Sequence, residues 1–425
     1  MPADKYRPRL IDDILEKYLT AFGAVCIEGP KWCGKTWTSR HHSKSEILIG
    51  SPDGNFQNRR LANLSPETVL EGDVPRLIDE WQDVTSLWDA VRYEVDKRGQ
   101  QGQFILTGSS TPKHKGILHS GAGRIARLRM HPMSLFEAGN SSGDVSLAEL
   151  CQGRMKSKLT GEVELRTLAD YIVRGGWPGN QENDIEAARL LPEEYVTATL
   201  EDDIVRIDGV LRNRNKLKLL LRSLARNEST TVSNKTIKND IKEIDDEDID
   251  AKTISSYLDI LDRLFLTDNQ PAFSTNVRSS VRIKQAVKRH FVDPSLPCSL
   301  LQMNSERLIG DLNTFGFLFE ALVERDLKIY AATFGGKLYH YQDYRNQEID
   351  AIIELENGEW CAFEIKLGAN QIDDAARNLI ILRDKIAAEP KGKPPKVLGV
   401  ICGLSNAAYQ REDGVFVVPI TALRN

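Results

Sequence analysis

The chain has 425 residues, a length that predicts two or three domains rather than a single core. With 41% hydrophobic and 28% charged residues, it has the composition of a globular protein and not of a disordered one. Every apolar run is shorter than the ~18 residues that span a bilayer. Residues 1–5 lead into a charged stretch rather than an apolar signal region. We therefore expect a cytoplasmic protein with no membrane partner.

The net charge of -5 and the isoelectric point near 5.9 do not indicate a nucleic-acid binder, although local basic patches rather than totals decide such binding. The six cysteines are scattered, without a C-x-x-C pair or a zinc-ligand spacing. We expect them to be reduced and mostly buried.

Residues 1–140 alternate short apolar runs with helix-length segments such as 86–97. This alternation predicts an α/β fold with a parallel sheet and helices on both of its faces. A mainly helical middle region follows, and residues 301–425 return to mixed helix and strand. The predicted strands of the first region are 24–27, 47–49, 76–78, 104–106 and 125–128.

A phosphate-binding loop of the form G-x-x-x-x-G-K-[ST] lies between the first strand and a helical segment. Its glycines allow backbone N–H groups to turn toward phosphate oxygens. Lys35 can reach the β- and γ-phosphates, and the Thr36 hydroxyl can ligate Mg²⁺. The loop therefore predicts a site for ATP and Mg²⁺. Its residues are Gly29, Pro30, Lys31, Trp32, Cys33, Gly34, Lys35 and Thr36.

An acidic pair, Asp79 and Glu80, ends the third predicted strand. A nucleotide hydrolase requires such a pair: Asp79 would hold the metal, and Glu80 would polarise the attacking water. The alternative is a strand end that happens to be acidic.

Three polar residues near the ends of later strands are candidates for contact with the γ-phosphate. Thr107 and Ser109 would sense it from the tip of the fourth strand, although helix capping by Ser109 or Ser110 is an equal alternative. Arg124 would neutralise charge that develops during phosphoryl transfer, either within one chain or across a boundary of a homo-oligomer. A solvent-facing arginine is the alternative, and a monomer is compatible with the sequence.

The middle region has the pattern of a winged helix. Residues 217–224 and 253–261 show helical apolar spacing, and the apolar run 264–266 would begin the hairpin. The basic stretch 277–290 would form a wing that contacts DNA phosphates. The alternative is a scaffold, since the acidic run 243–250 would repel a phosphate backbone. The basic residues of the wing are Arg278, Arg282, Lys284, Lys288 and Arg289.

Three residues near the C-terminus have the spacing of a metal-dependent nuclease: Asp350, Glu364 and Lys366. Two carboxylates would bind a cation, and the lysine would help to activate water. Glu320, in an apolar helix, would complete the metal site or form a salt bridge, with Lys366 as one partner.

Strand register decides whether the two carboxylates meet. The apolar residues alternate along 349–355 and 361–367, and their faces coincide only if Asp350 lies opposite Glu364. A three-residue turn at 356–358, with Gly358 in the left-handed conformation, gives that register. We therefore expect the two side chains to converge on one side of the sheet.

Across nearly its whole length, the chain resembles a family of bacterial and archaeal P-loop ATPases of the AAA superfamily. The resemblance rests on the phosphate loop and on residues 77–80, 104–110, 123–124, 131–137, 174–179 and 200–204. It implies an ATPase core fused to a winged helix and a PD-(D/E)xK nuclease-like domain, whose motif Asp350, Glu364 and Lys366 match. The implied domains are a P-loop core (1–140), a helical lid or connector (141–205), a winged-helix-like domain (206–300) and a nuclease-like domain (301–425).

The leading hypothesis is an ATPase that couples nucleotide hydrolysis to a DNA-associated nuclease-like module. The alternative is an ATP-dependent switch or interaction protein in which that module is catalytically inert. A third hypothesis is transcriptional regulation through the winged helix. A small-molecule kinase fits less well, because of the acidic pair and the large additional domains.

Overall fold

A computed structural model describes residues 6–111, 117–210, 212–244, 249–275, 285–343, 347–390 and 392–425, apart from the side chains of residues 206, 208, 243 and 244. The chain divides into two compact units. The N-terminal unit comprises residues 1–132, 201–212 and 258–266. The C-terminal unit comprises residues 133–200, 213–257 and 267–425. The domain boundaries at residues 140, 205 and 300 stay a prediction.

The N-terminal unit contains a five-stranded sheet in the order β2-β3-β4-β1-β5, and every neighbouring pair is parallel. The predicted parallel sheet is therefore confirmed, with strand ends that differ from the predicted ones by at most two residues. The strands are β1 (Ala24–Glu28), β2 (Ser45–Leu48), β3 (Arg76–Asp79), β4 (Phe104–Gly108) and β5 (Ile125–Arg129). The helices are α1 (Asp12–Ala21), α2 (Lys35–His41), α3 (Asp53–Leu64), α4 (Pro66–Val69) and α5 (Ser86–Arg98).

Both faces of this sheet are buried. Successive residues of β1 belong to two cores: Cys26 packs with Trp88 of α5, whereas Ile27 packs with Leu15 of α1. A strand covered on both faces is apolar at nearly every position, which explains the continuous apolar runs in the sequence. Because the strands are parallel, the loops that follow β1, β3 and β4 meet at one edge of the sheet.

The C-terminal unit contains a seven-stranded mixed sheet in the order β7-β12-β13-β11-β10-β9-β8, and a second, two-stranded sheet formed by β6 and β14. Two helices, α16 and α17, pack against β10 of the larger sheet. The strands are β6 (Val145–Ser146), β7 (Lys158–Leu159), β8 (Lys337–Gln342), β9 (Glu348–Glu354), β10 (Trp360–Lys366), β11 (Val397–Cys402), β12 (Ala407–Gln410), β13 (Phe416–Pro419) and β14 (Leu423–Arg424).

Helices dominate the described residues that lie between β5 and β8 in the sequence. In chain order they are α6 (Leu147–Leu150), α7 (Leu165–Arg174), α8 (Ile185–Ala188), α9 (Leu190–Ala198), α10 (Ile204–Asp208), α11 (Arg214–Arg226), α12 (Asn234–Ile244), α13 (Ala251–Arg263), α14 (Ser295–Leu300), α15 (Ser305–Gly310) and α16 (Leu312–Thr333). The last helix, α17 (Ile372–Ala387), follows β10.

The hairpin of β9 and β10 has the predicted register. Phe363 pairs with Ala351, and the next step of the ladder sets Glu364 opposite Asp350. The turn contains the three residues 356–358, and Gly358 has a φ of 77°, in the left-handed region that favours glycine. The alternation of apolar residues was therefore sufficient to place two distant carboxylates side by side.

The middle region matches the expectation only in part. α11 and α13 confirm the two predicted helices, but the predicted strand at 264–266 is wrong. Those residues form a turn, in which Phe265 has a φ of 57°, and pairing begins at Thr267. The central hairpin, as we name the segments 267–270 and 288–291, pairs Thr267 with Phe291 and Gln270 with Lys288.

The described residues of the basic stretch do not form one exposed basic surface. Arg278, Arg282 and Lys284 lie outside the described residues. Lys288 is 1% exposed, so the prediction that it contacts DNA phosphates is wrong. Arg289 is half-buried and donates a hydrogen bond to Asn234 at 3.3 Å. The winged helix itself stays a prediction.

Two expectations from composition can be compared with the structure. All six cysteines are buried free thiols, as predicted. Within the described ranges, no helix combines the length and the apolar character needed to cross a bilayer.

Candidate functional site

The phosphate loop follows β1 and leads directly into α2. Gly34 has a φ of 107°, which a residue with a side chain rarely adopts. At Gly29, a Cβ atom would lie 2.2 Å from the carbonyl oxygen of Met130, so only glycine fits there. The two glycines of the motif are therefore required by the shape of the loop.

Lys35 spans the loop from its last residues to its first. Its side chain is buried, and its ammonium group donates hydrogen bonds to the carbonyl oxygens of Gly29 at 3.0 Å and Pro30 at 2.7 Å. A lysine held inside the loop can exchange these carbonyls for phosphate oxygens when a nucleotide binds.

Thr36 and Asp79 meet at the edge of the sheet where β3 ends. The Thr36 hydroxyl donates a hydrogen bond to Asp79 Oδ1 at 2.8 Å. That distance is close to the ~3 Å between neighbouring ligands of an octahedral ion with bonds of about 2.1 Å. Hydroxyl and carboxylate oxygens are also the donors that Mg²⁺ prefers. The predicted pair therefore fits this ion.

Burial raises the pKa of Asp79, while hydrogen bonds from Thr107 and Thr36 oppose that effect. The carboxylate is thus partly removed from water and held by two hydroxyl groups. A cation at this position would favour its ionised form.

Glu80 lies beside Asp79, directly after β3, with a left-handed backbone (φ 57°, ψ 48°). Its amide donates a hydrogen bond to Thr107 Oγ1 at 2.9 Å. Its carboxylate accepts hydrogen bonds from the Ser109 hydroxyl at 2.8 Å and from the side-chain amide of Gln82. A candidate base is therefore oriented by three neighbours.

Thr107 and Ser109 support the acidic pair rather than pointing to open space. The Thr107 hydroxyl is fully buried and donates to Asp79 Oδ1 at 2.7 Å, while it accepts from the amide of Glu80. The prediction that Thr107 contacts the γ-phosphate therefore does not fit its position. Ser109, bonded to Glu80, does not cap a helix, and its proposed contact with phosphate stays a prediction.

Arg124 lies at the wrong edge of the sheet to act on a nucleotide in its own chain. It precedes β5, and its carbonyl accepts from the amide of Ala24 at the start of β1. The phosphate loop follows the end of β1, about 16 Å away for five residues of strand. Arg124 is half-exposed and pairs with Asp96 at 2.8 Å. Because of the distance along β1, the predicted role of Arg124 within one chain is wrong. Its action across subunits stays a prediction.

The contacts of Arg9, Lys31 and Gln82 near the site were not anticipated. Arg9 donates to the carbonyl oxygens of Cys33 at 2.7 Å and of His131 at 2.9 Å, and so braces the loop from outside. Lys31 pairs with Asp203, in the segment 200–204 that the resemblance singled out, at 2.5 Å. The side-chain amide of Gln82 donates a hydrogen bond to the carboxylate of Glu80. Gln82 is only two residues from Glu80 and could have been identified in the sequence as a polar neighbour of the acidic pair.

The C-terminal charge cluster, as we name Lys288, Glu320, Glu324, Glu348, Asp350, Glu364 and Lys366, lies in the C-terminal unit. Lys366 Nζ is 2.9 Å from Asp350 Oδ2 and 2.6 Å from Glu364 Oε2. The two carboxylates and the lysine of the predicted motif therefore converge. Their role in metal binding and cleavage stays a prediction.

Glu320 has a different partner from the one expected. Its carboxylate pairs with Lys288 of the central hairpin and not with Lys366. Lys288 also lies 3.4 Å from Glu324, one helical turn along α16. The i, i+4 spacing of the two glutamates on one helix was visible in the sequence, whereas the arrival of Lys288 was not.

The pKa values of the carboxyl groups in this cluster are shifted from their ordinary values. Burial raises the pKa of Glu364, and the neighbouring charge of Asp350 adds to this effect. For Asp350, burial acts in the same direction, but the ammonium groups of Lys366 and Lys288 outweigh it and lower its pKa to about 2. Burial raises the pKa of Glu320 to about 8. Of the two motif carboxyl groups, Asp350 is therefore the one whose ionised form is favoured.

A divalent metal does not fit this cluster as it stands. Across the part of the chain that the structure describes, no three His, Cys, Asp or Glu side chains form a group that could hold a metal ion. Lysine ammonium groups lie where a cation would contact Asp350 and Glu364.

Three parts of the chain match known protein families. Residues 21–139 match the family described as an AAA domain. The AAA domain so matched contains the phosphate loop, the acidic pair, Thr107 and Ser109, and this supports a P-loop ATPase. Two families described as domains of unknown function, DUF8612 and DUF4143, match residues 165–307 and 315–423.

Three similar proteins do not identify an activity for this chain. Two uncharacterized proteins, from Mycobacterium bovis and Mycobacterium tuberculosis, are each 25% identical over 364 residues, which cover 83% of this chain and 72% of theirs. The Walker-type ATPase PABY2304 of Pyrococcus abyssi has a solved structure with 14% identity and a TM-score of 0.43. That match covers 71% of this chain and all of the archaeal chain.

Proposed function

We propose that this protein binds ATP with Mg²⁺ at the phosphate loop of its AAA domain and hydrolyses it. The observation that carries the proposal is the hydrogen bond between Thr36 and Asp79, since it joins the loop to the acidic strand at one point. Two parts that are 43 positions apart in the sequence thus form a single site.

Each residue has a role that its contacts support. Lys35 would leave its carbonyl partners to bind the β- and γ-phosphates. Thr36 and Asp79 would hold Mg²⁺, which, when bound, neutralises charge on the phosphates. Glu80, oriented by Ser109 and Gln82, would accept a proton from the attacking water. The remaining members of the loop would contact phosphate through their backbone amides, except Pro30, which has no N–H to donate.

The test is ATP turnover by the purified wild type and by Lys35→Ala. We expect the variant to lose at least about 100-fold in kcat/KM, because transition-state charge on the phosphates loses its lysine. Lys97→Ala, in an exposed ion pair with Glu94, is the matched control and should retain wild-type turnover. Equal turnover by Lys35→Ala and the wild type would refute the assignment.

A second proposal concerns the C-terminal unit. We propose that it is a nuclease-like module associated with DNA, and that it serves an ATP-dependent switch instead of cleaving. The ion pairs of Lys366 with Asp350 and Glu364 favour this inert form over the Mg²⁺-dependent nuclease. We therefore expect no nicking of supercoiled DNA by the wild type in Mg²⁺ or Mn²⁺. Nicking that disappears in Asp350→Asn would support the nuclease instead.

A further inference from the structure

Lys288 occupies the centre of the C-terminal charge cluster. Its side chain is almost completely buried, and its position in the central hairpin is fixed by reciprocal backbone hydrogen bonds with Gln270, both 2.9 Å long. Carboxylates from α16 and from β9 surround the ammonium group. They are Glu320 in direct contact, Glu324 at 3.4 Å, and Glu348 and Asp350 at 3.8 Å.

The oxygens of the two motif carboxylates already have partners. Asp350 Oδ1 faces Lys288, while Oδ2 accepts from Lys366 at 2.9 Å and from the amide of Ile365 at 2.8 Å. Glu364 Oε2 faces Lys366, and Oε1 accepts from Asn378 at 2.5 Å. A divalent ion would have to displace these donors in order to take oxygen ligands.

Electrostatics explains why the lysines belong there. An isolated charge is costly to bury, and an ammonium surrounded by carboxylates is the usual way to satisfy both signs. A second cation in the same space would meet strong repulsion from this buried ammonium group.

We propose that Lys288 and Lys366 are the resident cations of the C-terminal charge cluster and take the place of a divalent metal there. The cluster then joins three elements, the central hairpin, α16 and the β9–β10 hairpin, without metal. This proposal rests on the nuclease-like interpretation of the C-terminal unit and is independent of the phosphate loop.

The deciding experiment counts Mn²⁺ bound to the nucleotide-free full chain by electron paramagnetic resonance. We expect the wild type and Asp350→Asn to bind the same number of ions, because the cluster takes none. One ion more in the wild type than in Asp350→Asn would overturn the proposal. ATP turnover measured on the same samples reports separately on the phosphate site.

A lysine substitution tests the replacement itself. Lys288→Ala should lower the melting midpoint and should bind one Mn²⁺ more than the wild type, because the carboxylates lose their resident cation. Lys328→Ala, on α16 with a partly buried ion pair to Asp268, is the control and should gain no Mn²⁺. A folded Lys288→Ala that keeps the wild-type midpoint or gains no ion would contradict the proposal; if it fails to fold, the Asp350→Asn comparison decides.

Discussion

Glu80→Gln should reduce kcat for ATP hydrolysis by about 10²- to 10⁴-fold, the usual contribution of a general base. The amide keeps the size of the side chain and can still bond to Ser109, but it cannot accept the proton of the attacking water. Nucleotide affinity should stay near the wild-type value, because Lys35 and the loop amides are unchanged. Single-turnover hydrolysis and equilibrium binding of ATP measure the two effects separately.

The control for Glu80→Gln is Glu71→Gln, an exposed glutamate of the same domain. It should hydrolyse ATP at the wild-type rate. If Glu80→Gln also retained that rate, another group would have to serve as the base, and the role assigned to the acidic pair would be wrong.

Arg325→Met should destabilise the C-terminal unit by about 3–5 kcal/mol, the cost of removing one partner from a buried ion pair. Arg325 is buried in α16 between Asp293 at 2.8 Å and Asp326 at 2.7 Å, and both carboxylates are completely buried. Methionine fills similar space but leaves two carboxylates without a cation. Urea denaturation followed by circular dichroism measures the change.

The carboxylates around Arg325 also hold two of the segments on which the resemblance rests. Asp293 accepts from the amide of Gly176, and Asp326 accepts from the amide of Leu135, both at 2.9 Å. The segments 131–137 and 174–179 are therefore held by the carboxylates that Arg325 neutralises.

An exposed arginine provides the comparison for Arg325. Arg377 on α17 pairs with Asp374 at 2.8 Å, but both side chains are mostly exposed, so Arg377→Met should cost less than about 1 kcal/mol. Equal effects of the two substitutions would show that burial of the charges does not determine the stability of this unit.

Local sequence patterns predicted the structural features that depend on residues close together in the sequence, namely strand positions and hairpin register. Continuous apolar runs located the five strands of the N-terminal unit, since a sheet covered on both faces leaves few polar positions. Alternation and a glycine at 358 gave the β9–β10 register, because only one register keeps both apolar faces together. The convergence of Asp350 and Glu364 followed from that register.

Strand direction could have prevented one error. Arg124 precedes its strand, whereas the phosphate loop follows its own, so in a parallel sheet the two must lie at opposite edges. The residues after β5 lie at the correct edge, and Arg129 ends that strand beside Glu28.

Side-chain contacts between residues far apart in the sequence could not be predicted. Lys288 was assigned to a DNA-binding wing because its neighbours in sequence are basic. Its actual partners, Glu320 and Asp350, are 32 and 62 positions away and meet it only through the fold. The contact of Thr107 with Asp79 could not be predicted for the same reason, since it depends on the alignment of two strands that are separate in sequence.

The most direct test of the central claim is a crystal structure of Glu80→Gln grown with ATP and Mn²⁺, with the ion located by its anomalous signal. The triphosphate should follow residues 29–36, with Lys35 moved from the carbonyls of Gly29 and Pro30 to the phosphates and the ion beside Thr36 and Asp79. A nucleotide bound elsewhere, with Lys35 still on those carbonyls, would contradict the account.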